Sequence, residues 1–447
     1  MLSAFQNAFK IPDLRKRIIF TLLLLAVLRL GAHITMPGIN YDELKAFFDK
    51  LTPEGGGGIL QLYDLFAGRA FSQMTIFALG IQPYISASII LQLLVVVVPH
   101  LERLSKEGPS GQKKITQYTR YGTVVLAAVQ GAAISIALRN PNFLGGGDVQ
   151  IVHEGIHPLA FTFVAIITLM AGTTFVMWLG EQISERGIGN GISLIIFANI
   201  VARVPNGAID MFRSLFTTTE GSLNLVQVLA FLAVVVAIIM GVIFITLGTR
   251  KIPVQYAKRV VGRKVYGGQM THLPLRVNQA GVIPIIFAIT VISFPSTLAR
   301  MIPVAIIQDI VAFFGPGRPM YYVLYATLII FFTYFYTAVT TNPVDLADNM
   351  KKYGGFIPGI RPGKSTAEYI DRALTRITLV GAFFLAGIAL TPYLLAKYLG
   401  IPISFGGTPL LIVVGVGLDT MQQIESHLIM RHYEGFLKKG KLRARRR

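Results

Sequence analysis

Ten apolar segments divide this chain of 447 residues, and lysine and arginine collect in every second gap between them. A helix of about 20 mostly apolar residues crosses the ~30 Å hydrocarbon layer of a membrane. The spacing places spans near Ile18–Met36, Met74–Val98, Tyr121–Leu138, His157–Leu179, Ile188–Val204, Leu223–Leu247, Gln279–Leu298, Met320–Thr341, Leu374–Ala396 and Thr408–Ile429. With the N-terminus in the cytoplasm, the cytoplasmic segments hold 31 Lys and Arg and the outer ones 9. Such residues are enriched in cytoplasmic loops, so both termini are expected on that side. A wrong number of spans would scramble the alternation, which supports ten.

The same pattern limits function. The formal charge of +19 lies mostly in cytoplasmic loops, which suits anionic lipid headgroups, RNA phosphate or an acidic protein surface. There is no cysteine, hence no disulfide, thiol nucleophile or cysteine metal site. No phosphate-binding loop, zinc-type histidine pair, nucleophile elbow or dinucleotide fingerprint is present. The glycines at 145–147 and Gly187–Gly191 are poor phosphate candidates, and the seven histidines are scattered. No catalytic residue, metal or cofactor is expected, and an enzyme is disfavoured. Ion-coupled carriers need ionisable groups at membrane depth. The span interiors nearly lack them. Arg29 lies near the outer end of span 1, where it is expected to snorkel to the interface. Asp419 precedes the polar stretch DTMQQIESH and is expected to face a wet cytoplasmic funnel. An ion-coupled carrier of a small molecule remains the alternative.

The spans divide five and five, giving an N-terminal half (residues 1–206) and a C-terminal half (207–447) of opposite orientation, as in many membrane transport proteins. Residues 1–17 read as an amphipathic surface segment, and 438–447 as a basic tail. Two cytoplasmic segments, 250–278 and 342–376, are too long for simple turns and are expected to be docking loops. QYAKRVVGRKVYG within the first suggests ordered strand-like hairpins. On the outer side, four glycines precede a short stretch with Ile59, Leu62, Leu65 and Phe66 at helical spacing. This fits an interfacial helix or a re-entrant one packed inside the protein, which must be buried or line a cavity.

Isoleucine pairs stand one helical turn apart at Ile81 and Ile85 and at Ile192 and Ile196. Alone they read as packing residues. The stretches around them read FALGIQPYISASIILQLL (77–94) and MWLGEQISERGIGNGISLIIFA (177–198). With KKITQYTRYGT (113–123), YAKRVVGRKVYGGQMTHLPLRVNQAGVIP (256–284), NPVDLADNMKKYGGFIPGIRPGKSTAEYIDRALTRITLVGA (342–382) and FGGTPLLIVV (405–414), they make the chain resemble the SecY family, the channel subunits of the bacterial protein translocon.

That resemblance implies an all-α integral membrane protein, its ten helices in two pseudo-symmetric inverted halves around a central hourglass pore. It implies a mid-membrane ring of Ile81, Ile85, Ile192, Ile196, Ile286 and Ile412, and a plug at about 59–69. A lateral gate would lie between spans 2–3 and 7–8, with Gln92 and Asn278 as candidate lining residues. Ribosome and motor docking would fall on Arg250, Lys251, Lys258, Arg259, Arg263, Lys264, Arg361 and Lys364. The implied activity is passage of unfolded preproteins across the plasma (inner) membrane and lateral release of membrane segments into it. The implied partners are the small membrane subunits SecE and SecG, the motor ATPase SecA, the ribosome, preprotein signal sequences and anionic lipids. DNA is not among them.

Overall fold

The computed structural model describes residues 11–51, 64, 66–139, 150–153, 155–205, 209, 224–256, 259–261, 264–266, 270–299, 313–315, 318–399 and 407–444. The chain forms two compact units: residues 1–210 with 290–321 and 416–447, and residues 211–289 with 322–415.

Helices dominate the first unit: α1 (Pro12–Gly31), α2 (Tyr41–Leu51), α3 (Gln82–Val97), α4 (Pro99–Lys106), α5 (Pro109–Arg139), α6 (Pro158–Arg186) and α7 (Gly191–Val201). Proline sits in the first turn of α1, α3, α4 and α6, where its missing N–H costs no hydrogen bond. Asn190 caps α7, its side-chain oxygen accepting from the N–H of Ile192 at 3.1 Å and of Ser193 at 3.3 Å. Between α3 and α4 the chain turns through 99°. Pro99 explains the turn: it cannot continue the α3 ladder, and it forces Val98 into extended backbone (φ −96°, ψ 112°). Gly172 lets α6 approach the backbone of Ile76, since a Cβ there would lie 1.9 Å from that carbonyl oxygen.

The second unit holds α8 (Leu225–Leu247), strands β1 (Thr249–Tyr256), β2 (Arg259–Val261), β3 (Lys264–Tyr266) and β4 (Met270–Arg276), then α11 (Pro343–Lys352), β5 (Gly355–Phe356) and α12 (Lys364–Leu399). Three helices run across the division: α9 (Ile283–Ala299), α10 (Pro319–Thr340) and α13 (Gly407–Ala444). In this unit Phe287 of α9 meets Phe332 of α10 edge-on at 5.6 Å, and Tyr325 of α10 shares a 3.1 Å hydrogen bond with Thr408 of α13. Leu225, Val226, Leu229, Val236, Met240 and Phe244 of α8 are exposed, so this helix is apolar on its outer face as well as its inner one. Lipid is the solvent such a helix requires.

Each of the ten apolar segments coincides with a helix: α1, α3, α5, α6, α7, α8, α9, α10, α12 and α13. Among the described residues, five helical stretches are long and apolar enough to cross a membrane alone, six with the bent pair α3–α4. Helix α7 and the start of α9 are shorter apolar helices. Helix α1 carries Arg15, Lys16, Arg17 and Arg29 in its 20 residues.

The segment 250–278 forms strands, as its alternation predicts. Strand β1 pairs antiparallel with β4 (Ile252 opposite Leu273) and with β5, and β2 pairs with β3. Ile252, Val254 and Leu275 pack with Met350, Ile357, Ile370, Ala373 and Leu374 in a small apolar core. The second segment differs from a simple finger. Helix α11 fills its first third, capped by Asn342, and α12 begins at Lys364, ten residues before the expected span. The cause is amphipathic: KSTAEYIDRA is polar overall, yet Ile370 and Ala373 meet the sheet.

Candidate functional site

The segment after the four glycines is held by side chains from distant parts of the chain. Ile59, Leu62 and Leu65 lie outside the described residues. Phe66 is described and 3% exposed. Asp64, Phe66 and Ala67 are helical, and the chain then turns over residues 68–72, where Gly68 (φ +66°) and Arg69 (φ +73°) both take left-handed backbone. Side chains from elsewhere bond the carbonyls that the ending helix leaves open. Arg29 Nη1 donates to the carbonyl of Gly68 at 2.8 Å. Asn199 Nδ2, on α7, donates to the carbonyl of Phe66 at 2.8 Å. Arg203, just past α7, donates through Nη1 to Asp64 Oδ2 at 3.2 Å. The other carboxylate oxygen of Asp64 accepts the backbone N–H of Ser72 at 2.9 Å. A Cβ on Gly68 would lie 2.8 Å from Asn199 Oδ1, so only glycine allows this approach.

Arg29 also has a partner that the sequence reading did not give it: it is half-buried, and its guanidinium donates to a backbone carbonyl. The carbonyl lies 39 residues away, so spacing within span 1 could not show it.

Ile81 sits at the N-terminal boundary of α3 and Ile85 one turn later, both buried. Ile192 is half-buried in the first turn of α7, and Ile196 is fully buried one turn on. These four belong to the first unit; Ile286 on α9 and Ile412 on α13, both buried, belong to the second. All six side chains are aliphatic.

Of the proposed gate residues, Gln92 donates through Nε2 to Ser88 Oγ at 3.1 Å, a contact within its own helix. Asn278 is 7% exposed, and its Oδ1 accepts no hydrogen bond among the described residues. A residue pair that the sequence reading passed over links α3 to α9: Thr290 Oγ1 donates to Gln82 Oε1 at 3.3 Å, both side chains buried. Gln82 adjoins Ile81, and Thr290 lies one turn beyond Ile286. The available signal was a glutamine beside Pro83 in an otherwise apolar stretch.

Among the expected docking residues, Arg250 and Lys251 are exposed at the start of β1. Arg259 and Lys264 lie on the β2–β3 ribbon, one on each strand. Lys258 and Arg263 lie outside the described residues. Arg361 is exposed between Gly359 (φ +81°) and Gly363 (φ +109°), and its carbonyl accepts Thr366 Oγ1 at 2.9 Å, which pins the bend. Lys364 is exposed at the start of α12. Asp419 is exposed on α13. Among the described residues no three His, Cys, Asp or Glu gather as metal ligands.

Comparison with known proteins gives one answer. The SecY family model matches residues 75–421. The Thermotoga maritima protein translocase subunit SecY is 46% identical over 447 residues, covering 100% of both chains. The Escherichia coli K12 protein translocase subunit SecY is 46% identical over 435 residues, covering 96% of this chain and 95% of its own. Among solved structures, one described as "The structure of a protein conducting channel" superposes with a TM-score of 0.62 at 19% identity, covering 92% of this chain and 91% of the other. Sec61 in a canine ribosome–channel complex superposes with a TM-score of 0.58 at 17% identity. At those identities the likeness concerns the fold.

Proposed function

The chain belongs to the SecY family, and on that premise we propose that it is the central subunit of a protein-conducting channel in the plasma membrane. It passes unfolded preproteins outward and releases apolar segments sideways into lipid. The full-length match to named translocase subunits carries this reading.

The chemistry supports a passive conduit. An unfolded chain presents every kind of side chain, so a lining with fixed hydrogen-bond partners would hold some sequences and stall them. Ile81, Ile85, Ile192, Ile196, Ile286 and Ile412 are the proposed constriction, apolar enough to resist water and ions by dewetting. The segment at 59–69 is the proposed seal on its outer side. Gating falls to polar contacts between spans, which an incoming apolar helix can displace. Gln92 and Asn278 remain candidates, and the buried Gln82–Thr290 contact joins them. The halves 1–206 and 207–447 would open about their joint.

No catalytic residue is assigned, so the driving force is external: a translating ribosome or the motor ATPase SecA, docked on Arg250, Lys251, Lys258, Arg259, Arg263, Lys264, Arg361 and Lys364. The fixed bend at Arg361 preorganises its guanidinium for a carboxylate or phosphate. SecE and SecG would complete the complex in the bilayer. The charge asymmetry supports cytoplasmic termini and contact of basic loops with anionic lipid.

The test uses the absence of native cysteine. Single cysteines are placed at Ile286 and, separately, at Leu232 on the exposed face of α8. A preprotein with one cysteine is arrested midway through the reconstituted complex. A disulfide at 286 and none at 232 is expected. Adducts at neither position, with the preprotein protected from added protease, would put the path elsewhere.

A further inference from the structure

The segment Asp64–Ser72 is tied to its surroundings by bonds of two kinds. Arg29 and Asn199 donate to main-chain carbonyls, those of Gly68 and Phe66. These bonds answer a requirement that any irregular backbone away from water must meet. The third tie is different. Arg203 and Asp64 meet side chain to side chain, 139 residues apart in sequence, with the aspartate 9% and the arginine 26% exposed. The guanidinium of Arg203 is not needed to satisfy the backbone, and it offsets the desolvation of the carboxylate, which also accepts the Ser72 N–H.

Asn199 and Arg203 are four residues apart and so lie on one face at the end of α7. That face thus touches the segment twice, once at the Phe66 carbonyl and once at Asp64. Asp64 in turn holds the far end of the segment through the Ser72 N–H. One carboxylate therefore closes the segment on itself and fastens it to α7. The ends of the described segment are drawn together at the point where the ion pair anchors it.

The geometry points to the Arg203–Asp64 ion pair as a releasable latch that sets how often this segment leaves its resting position. The assignment rests on the reading of residues 59–69 as the channel's seal and adds positioning residues to it. Once water reaches the pair, both charges regain hydration and the tie weakens, whereas the buried Asn199–Phe66 bond is neutral and lies within the protein. The latch thus holds while the site is dry and loosens once an entering chain has wetted it.

The experiment measures resting chloride efflux from liposomes bearing the complex purified from membranes, with no preprotein present. R203M keeps the length of the side chain and removes its donors. Leak is expected to rise about five- to tenfold, as for loss of a partly buried hydrogen-bonded partner. D64N, which keeps an acceptor for Ser72, is expected to raise it less. R203K returns the leak toward the wild-type value. The double variant R203M/D64N leaks no more than R203M alone, since the two changes break one interaction.

Deletion of residues 59–69 separates the two readings. If the deletion leaks while R203M and D64N stay at the wild-type level, the seal stands and the latch is overturned. If the deletion itself does not leak, the sealing role fails and takes the latch with it. Should R203M fail to assemble, D64N decides alone, and a wild-type leak overturns the proposal.

Discussion

The segment Asp64–Ser72 and the small sheet are held by different means. In the sheet, β4, β1 and β5 exchange backbone hydrogen bonds over a core of eight buried residues. In the segment, three side chains from elsewhere supplement short-range turn bonds, and only one of those ties pairs two charges. An apolar core resists change everywhere at once, because each side chain excludes water from its neighbours. A few polar ties can be exchanged one at a time. The sheet thus suits the proposed docking platform, and the segment suits the proposed displaceable seal.

Damage to the sheet core is the harshest test of that contrast. Ile370→Ala removes a fully buried side chain between α12 and the strands and should cost about 2–5 kcal/mol. Limited proteolysis should then cut the cytoplasmic region, while resting ion leak stays at the wild-type level. A leak would mean the two regions are not separable. Asn199→Leu should do the reverse. It leaves the Phe66 carbonyl without its donor at a cost of about 1–3 kcal/mol. Leak should rise with the protease pattern unchanged. Thr290→Val sharpens the contrast at the smallest scale, deleting one hydroxyl donor to Gln82 for roughly 1 kcal/mol. Preproteins with weakly apolar signal sequences should then be exported faster. An unchanged rate would remove Gln82–Thr290 from the gate.

Much of this architecture was legible because it follows from period and solvent. The spans needed only length and apolarity, and the β2–β3 ribbon announced itself by alternation between basic and apolar residues. The caps on α7 and α11 are asparagines in plain sight at positions 190 and 342. The early start of α12 was hidden because KSTAEYIDRA is polar in composition, like a loop, although Thr366, Ala367, Ile370 and Ala373 are buried. The ties of the outer segment were hidden for another reason. Arg29 with Gly68, Asp64 with Arg203 and Gln82 with Thr290 join residues 39, 139 and 208 positions apart, and no local pattern records such a distance. A charge in a span was visible; its partner was not.

The right-angle turn at Val98–Pro99 has a mechanical consequence. Helix α3 begins beside Ile81 and carries Ile85, and at its other end the chain leaves sideways as α4. Eight residues of helix make an arm of about 12 Å. An axle with a perpendicular arm is a crank: turning α3 by about 10° about its own axis carries the tip near Lys106 through roughly 2 Å. Force applied to α4 therefore acts as torque on the helix bearing Ile81 and Ile85, at a distance from those two residues.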